Sequence, residues 1–128
     1  MAVEYRSGEA GLSVDAFIGL ARRIWAREYD AARTAAALQS TANIGAWSGD
    51  RLVGSVRVLS DGYFFSTVAE VMVDPEFRRQ GIGRELMRRA LDVAPGGVLY
   101  VGAPPGQEPF VERAGFRRGP TGYVGRRA

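Results

Sequence analysis

The 128-residue chain has no cysteine and no histidine, and all seventeen of its basic residues are arginine, so lysine is absent as well. Without cysteine there is no disulfide and no thiolate metal ligand, and redox chemistry says nothing of the compartment. Without histidine, cysteine or lysine the chain cannot run a Ser-His or Cys-His nucleophile, a Schiff base or a His-ligated metal. Any general base must then be a carboxylate, a tyrosine, a terminal amine or a positioned water, and no metal is expected. Long apolar runs are missing too. No window approaches the roughly 20 residues of a membrane span and no apolar signal run opens the chain, so a cytoplasmic protein without a membrane partner is expected.

What is present describes an ordinary folding unit. Hydrophobic residues at 46% and charged ones at 24% suit a single domain over residues 1–128, large enough to bury its core without staples. The net charge is +3, with Arg117, Arg118, Arg126 and Arg127 making the C-terminal end basic. No aromatic-interleaved pattern accompanies them, so they read as a solvated basic end and no nucleic-acid partner is expected. The all-arginine basic set reads as genome composition.

The most informative stretch runs from Glu70 to Leu91, E-V-M-V-D-P-E-F-R-R-Q-G-I-G-R-E-L-M-R-R-A-L. Val71-Met72-Val73 ends a β-prone run, and Asp74-Pro75 stops it, since proline gives no amide to a ladder. Ile82, Leu86, Ala90 and Val93 then form a helical stripe that Pro95-Gly96-Gly97 terminates. Between strand and helix lie Arg78, Arg79, Gln80, Gly81, Ile82 and Gly83. Glycines at 81 and 83 let backbone approach a ligand, and the first amides of a helix have no intrahelical partner and sit at the positive end of its dipole. This pattern describes either an anion site or a plain tight turn. The dinucleotide and Gly-Lys-Ser/Thr phosphate loops do not match it.

Around that stretch, Val3 to Tyr5 reads as a first strand. Ser13 caps a helix striped by Val14, Phe17, Ile18, Ala21, Ile24 and Trp25, and Asp30 caps a second over Ala31 to Gln39. Ile44 to Trp47 and Arg51 to Leu59 form a hairpin. After a turn at Ser60-Asp61-Gly62, Tyr63 to Val73 is a long strand with an irregularity inside it. Val98 to Val101 is a compact strand, Phe110 to Ala114 a short helix begun by Glu108-Pro109, and Thr121 to Gly125 a last strand. The expected order is β-α-α-β-β-β-α-β-α-β, an α/β protein with a mixed central sheet flanked by helices.

The segment Val71 to Met87 resembles the acetyl-coenzyme A signature of the GCN5-related N-acetyltransferases (GNAT), whose core is Gln/Arg-x-x-Gly-x-Gly/Ala; Arg78, Gly81 and Gly83 stand at those places. Arg57-x-Leu59-Ser60-Asp61-Gly62 and Gly106-x-Glu108-x-Phe110 leading to Gly115-Phe116 resemble a small compact branch of the superfamily. The resemblance implies the GNAT fold and direct transfer of acetyl from acetyl-CoA, a co-substrate, to an amine of a small molecule or a protein. It implies a bulged strand ending at Val73 that splays from Val98–Val101 and offers backbone of Val71, Met72 and Val73 to the pantetheine arm. The pyrophosphate would rest on Arg79, Gln80, Gly81, Ile82, Gly83 and Arg84, with Arg78 beside them. Glu70 is the candidate base; its alternative is a strand carboxylate paired with an arginine. The superfamily's tyrosine acid falls at Val111, which leaves Tyr100 or Tyr123 as substitutes, or water. That departure motivates a second reading, a catalytically silent acetyl-CoA-binding sensor or regulatory domain. A monomer or homodimer is expected.

Overall fold

The computed structural model describes residues 2–8 and 11–128. Four strands pair antiparallel in chain order: β1 (Glu4–Ser7), β2 (Ala42–Ser48), β3 (Arg51–Ser60) and β4 (Ser66–Val73). Between β1 and β2 run α1 (Val14–Ile24) and α2 (Ala31–Gln39), each capped as the sequence predicts. Ser13 accepts a hydrogen bond from the Ala16 amide and Asp30 from the Arg33 amide. After β4 come α3 (Ile82–Val93) and the short α4 (Glu108–Arg113). The expected fold class, a sheet flanked by helices, is what the chain adopts.

The sheet is covered on both faces, so β2 and most of β3 are buried almost without a break. On one face the α3 stripe of Ile82, Leu86, Met87 and Ala90 packs against Ile44, Val56 and Val58. On the other, Phe17, Leu20 and Ala21 of α1 and Leu38 of α2 cover Trp47, Leu52 and Met72. Asp74, only 1% exposed, ties this second layer to the end of β4. Its carboxylate accepts from Arg23 of α1 at 2.7 Å, from Arg51 of β3 at 2.8 Å and from the Glu76 amide at 2.9 Å. Burial pushes this carboxyl up, but those donors together outweigh it and hold its pKa below the ordinary value.

Three stretches differ from the sequence expectation. Strand β4 begins at Ser66 rather than Tyr63, because one carboxylate oxygen of Asp61 accepts from the amides of Tyr63, Phe64 and Phe65 at 2.7–3.0 Å. This local turn overrides the β propensity of the three aromatics. Val98–Val101 touches the sheet at a single parallel bridge, Thr67 to Tyr100, rather than along a strand. The sheet is mixed only at that point. Thr121–Gly125 forms no strand; its residues are all exposed and its two glycines leave little apolar surface to bury.

Candidate active site

The fold brings three features together along β4: an uncapped helix start, an open strand edge and a cavity. The helix start comes first. Gly81, the N-cap of α3, lies at φ 81° with no side chain bonding to the first turn. A Cβ at Gly81 would meet nothing within 4 Å, so its glycine is required by backbone conformation and not by crowding. Arg79, two residues earlier, also holds positive φ, at 64°. For a non-glycine residue that conformation is strained by roughly 1–2 kcal/mol. The result is a turn that aims the amides of Ile82, Gly83 and Arg84 outward at the positive end of the helix dipole. Gly81, Arg84, Glu85, Arg88 and Ala114 line a recess of about 240 Å³ at this end. Glu85 pairs there with Arg88 at 2.8 Å and Arg89 at 2.7 Å, which hold its carboxyl down to about 2.

Gly83 has a different role from the one its spacing suggests. It is buried, and a Cβ there would fall 2.8 Å from Cε1 and 3.1 Å from Cζ of Phe110. Glycine at 83 therefore lets α4 pack on the first turn of α3. Only Gly81 opens the backbone on the solvent side.

The strand edge follows from register. The Asp74 amide donates to the Val53 carbonyl at 2.8 Å, which makes 53/74 a hydrogen-bonded pair. Antiparallel pairs alternate, so 55/72 and 57/70 are also bonded pairs, while 54/73 and 56/71 turn their backbone groups away from each other. Val71 and Val73 thus face the open edge, and Met72, expected to share that role, has its backbone turned toward β3. The Val73 carbonyl accepts from Arg78 Nε at 3.3 Å. Among the described residues no group pairs with the Val71 backbone. The register shifts between Arg57 and Val58, so Ala69 is the extra residue of a β-bulge. Just before it, Val68 and Ser66 still pair with Tyr100, at 2.9 and 3.0 Å. Beyond it no backbone hydrogen bond joins the two segments among the described residues.

The third feature is a cavity of about 330 Å³ between α1, α2 and the β3–β4 ladder, and Glu70 and Met72 line it. Glu70 is gripped by the facing Arg57, Nε to Oε2 at 2.6 Å and Nη2 to Oε1 at 2.7 Å. Donating to Glu70 raises the Arg57 pKa above its already high ordinary value. Fork–fork pairing of this kind matches the arginine-paired alternative for Glu70. A carboxylate offers about four lone-pair sites, however, and the fork takes two. The other two remain for a proton or a water.

The tyrosines do not gather at Glu70. Tyr100 is 44% exposed and stacks on Phe65 with ring centroids 5.2 Å apart; Tyr123 is 91% exposed in the C-terminal segment. Neither lines the cavity, and Val111 sits half-buried in α4. Tyr29, which the sequence reading passes over, does line it, its hydroxyl donating to the Trp25 carbonyl at 3.0 Å. It lies between α1 and α2, where no periodicity marks a residue as functional. No group of three or more Asp or Glu able to hold a metal occurs among the described residues, and no helix there is long and apolar enough to cross a membrane.

Comparison with known proteins agrees with this architecture. The family model described as an acetyltransferase (GNAT) domain matches residues 18–123. The N-alpha-acetyltransferase RimI of Mycobacterium tuberculosis is 43% identical over 61 residues, which are 45% of this chain and 39% of that protein. The chain spans less than half the length of the curated relatives it matches. A GNAT-family acetyltransferase from Streptococcus pneumoniae superposes with a TM-score of 0.77 at 21% identity, covering 98% of this chain and 100% of that one. An aminoglycoside N-acetyltransferase solved in complex with CoA gives 0.77 at 15% identity, over 98% and 95% of the two chains.

Proposed function

Because the chain belongs to the acetyltransferase (GNAT) domain family, we propose that it is an N-acetyltransferase that moves acetyl from acetyl-CoA directly to an amine. The observation that carries the proposal is the open β4 edge at Val71, which joins the uncapped start of α3 to the cavity holding Glu70. One continuous track then serves donor and acceptor. The chemistry present fits the donor. Amides of Gly81, Ile82, Gly83 and Arg84, with Arg79, Gln80 and the Arg78 guanidinium, would hold its pyrophosphate. Val71 and Val73 would hydrogen-bond the amides of its arm, and acetyl-CoA supplies an activated thioester.

The chain's own residues have two tasks in the transfer. The Val71 N–H, free of protein partners, is aimed where charge would develop on a carbonyl oxygen as an amine attacks. Glu70 accepts the proton that the amine must lose, directly or through a water, since an alkylammonium with a pKa of about 10.4 is mostly protonated at neutral pH. Proton return to the departing sulfur falls to Tyr100, where β4 and the following segment part, to Tyr123 or to solvent. A thiol of pKa about 8.5 leaves tolerably without an acid. The proposal extends to a cytoplasmic protein working as a monomer or homodimer, with a small molecule or a protein as acceptor.

The Arg57–Glu70 fork favours the second reading, a domain that binds acetyl-CoA without turning it over. The two are separated by incubating the protein with acetyl-CoA and a panel of amines while following free thiol. Thiol release that needs both protein and amine supports the transferase. Saturable acetyl-CoA binding without release from any amine leaves the sensor.

A further inference from the structure

The side chains around the acceptor cavity carry an uneven charge. Arg27, Arg33 and Arg57 line it, and Glu70 is the only carboxylate among the lining residues. Arg57 and Glu70 neutralise each other through their fork. Arg27 and Arg33 have no such partner: no ion pair joins either of them to an acid among the described residues. The acids nearest in sequence, Glu28 and Asp30, do not line the cavity, and Asp30 is turned to the start of α2, where it accepts from the Arg33 amide at 2.9 Å. The Arg27 guanidinium lies over the Tyr29 ring, 5.2 Å from its centroid, an arrangement that holds the cation beside the cavity without cancelling its charge.

We propose that the acceptor is a small amine that also carries an anionic group, a carboxylate or a phosphate, held by Arg27 and Arg33 while its amine reaches Glu70. Planar guanidinium forks match both anions and are only weakly hydrated, so they give up water for an anion more readily than an ammonium would. Between the two ends the wall is apolar, with Phe17, Leu38 and Met72, and suits a short hydrocarbon spacer. The volume of about 330 Å³ lies at the small end of ligand pockets. The same two arginines repel a polycation, so this cavity selects against polyamines. The amine's role rests on the acetyl-transfer reading; the preference for an anion rests on the arginines alone.

The test reads binding and turnover separately. Trp25 lines the cavity at 50% exposure, whereas Trp47 is buried and donates to the Gly11 carbonyl, so ligand in the cavity should register in Trp25 fluorescence. Five probes are titrated: β-alanine against its amide, phosphoethanolamine against ethanolamine, and spermidine. At least one acidic member should saturate the signal at a concentration tenfold or more below its partner without the acid and below spermidine, and the stronger of the two pairs identifies carboxylate or phosphate. That ratio should collapse in Arg27→Gln/Arg33→Gln and survive in Arg33→Lys, whose retained charge shows that the double variant lost a cation and not a fold. Equal or tighter binding of the probes without an acid group, spermidine included, an acid preference that persists in the double variant, or saturation by none of the five overturns the proposal. If the acid preference holds and saturating acetyl-CoA still yields no thiol with any probe, the transferase reading fails while the anion site stands.

Discussion

The sharpest question the structure raises is whether Glu70 is a base or only the partner of Arg57, and paired substitutions answer it. The side chains of Arg57 and Glu70 are 17% and 26% exposed, with both oxygens bonded at 2.6 and 2.7 Å. Such a pair lies between an exposed ion pair, at about 0–1 kcal/mol, and a buried one whose truncation costs 3–5 kcal/mol. Glu70→Gln keeps shape and one acceptor oxygen but leaves the guanidinium short of a countercharge, so we expect about 1–2 kcal/mol of lost stability on urea titration. Arg57→Met should cost a similar amount, with the long apolar side chain still covering Phe17, over whose ring the guanidinium lies at 5.7 Å. Kinetics separate what stability does not. If Glu70 takes the proton, Glu70→Gln lowers kcat/KM at least about a hundredfold. Arg57→Met frees both oxygens and should retain most of the turnover. A structural pair predicts instead that both variants lose activity only as far as they lose fold. A folded, fully active Glu70→Gln protein refutes the assignment of Glu70 as base.

Three further perturbations test the surroundings. Acetyl-CoA at one hundred times its dissociation constant should stabilise the wild type by roughly 2.7 kcal/mol in a thermal-shift series; Gly81→Val, forced to hold φ 81°, should lose most of that gain, and a full gain in a folded variant would clear the loop of a role. Gly83→Val should destabilise by about 1–3 kcal/mol through collision with Phe110, and Gly83→Val/Phe110→Ala should recover part of it on denaturant titration. Asp74 and Glu85 both have lowered folded pKa values, so each contributes stability above its unfolded value that is lost as pH falls through the folded one. Melting temperature should therefore hold down to roughly pH 4.5 and fall progressively toward pH 2, where Glu85 titrates, and Asp74→Asn should make that fall smaller.

How much of this could be read beforehand depends on whether a signal is local. The capped starts of α1 and α2 and the stripe of α3 lie in consecutive residues, and the structure keeps both caps and the stripe as far as Ala90, while Val93 in the last position of α3 is exposed. The irregularity inside the long strand is also there, as the Ala69 bulge. Local chemistry misled where two local signals competed: Tyr63-Phe64-Phe65 is β-prone, but the Asp61 carboxylate just before it captures all three amides. A similar competition lies at Gly83, where spacing suggests access for a ligand and a ring 27 residues further along the chain supplies the reason for glycine.

The Arg57–Glu70 fork shows why the chemistry of the site was harder to read than its outline. Opposite positions on a hairpin follow from where the turn ends and where residues are inserted, and here both matter. Taking the strand to begin at Tyr63 moves the count by three, and the Ala69 bulge moves it by one more, so no reading of the sequence alone sets Arg57 against Glu70. The consequence reaches function. One face of β4 carries Glu70 and Met72 to the cavity, and Val71 between them turns its backbone to the open edge. A deletion of Ala69 would make the ladder continuous and leave the pairs on either side as they are, Arg57 against Glu70 and Val58 against Val68, because Ala69 is the residue without a partner on β3. The bulge marks instead where this edge changes use: before it Ser66 and Val68 pair with Tyr100, and beyond it the Val71 backbone has no partner among the described residues and lies next to a cavity carboxylate.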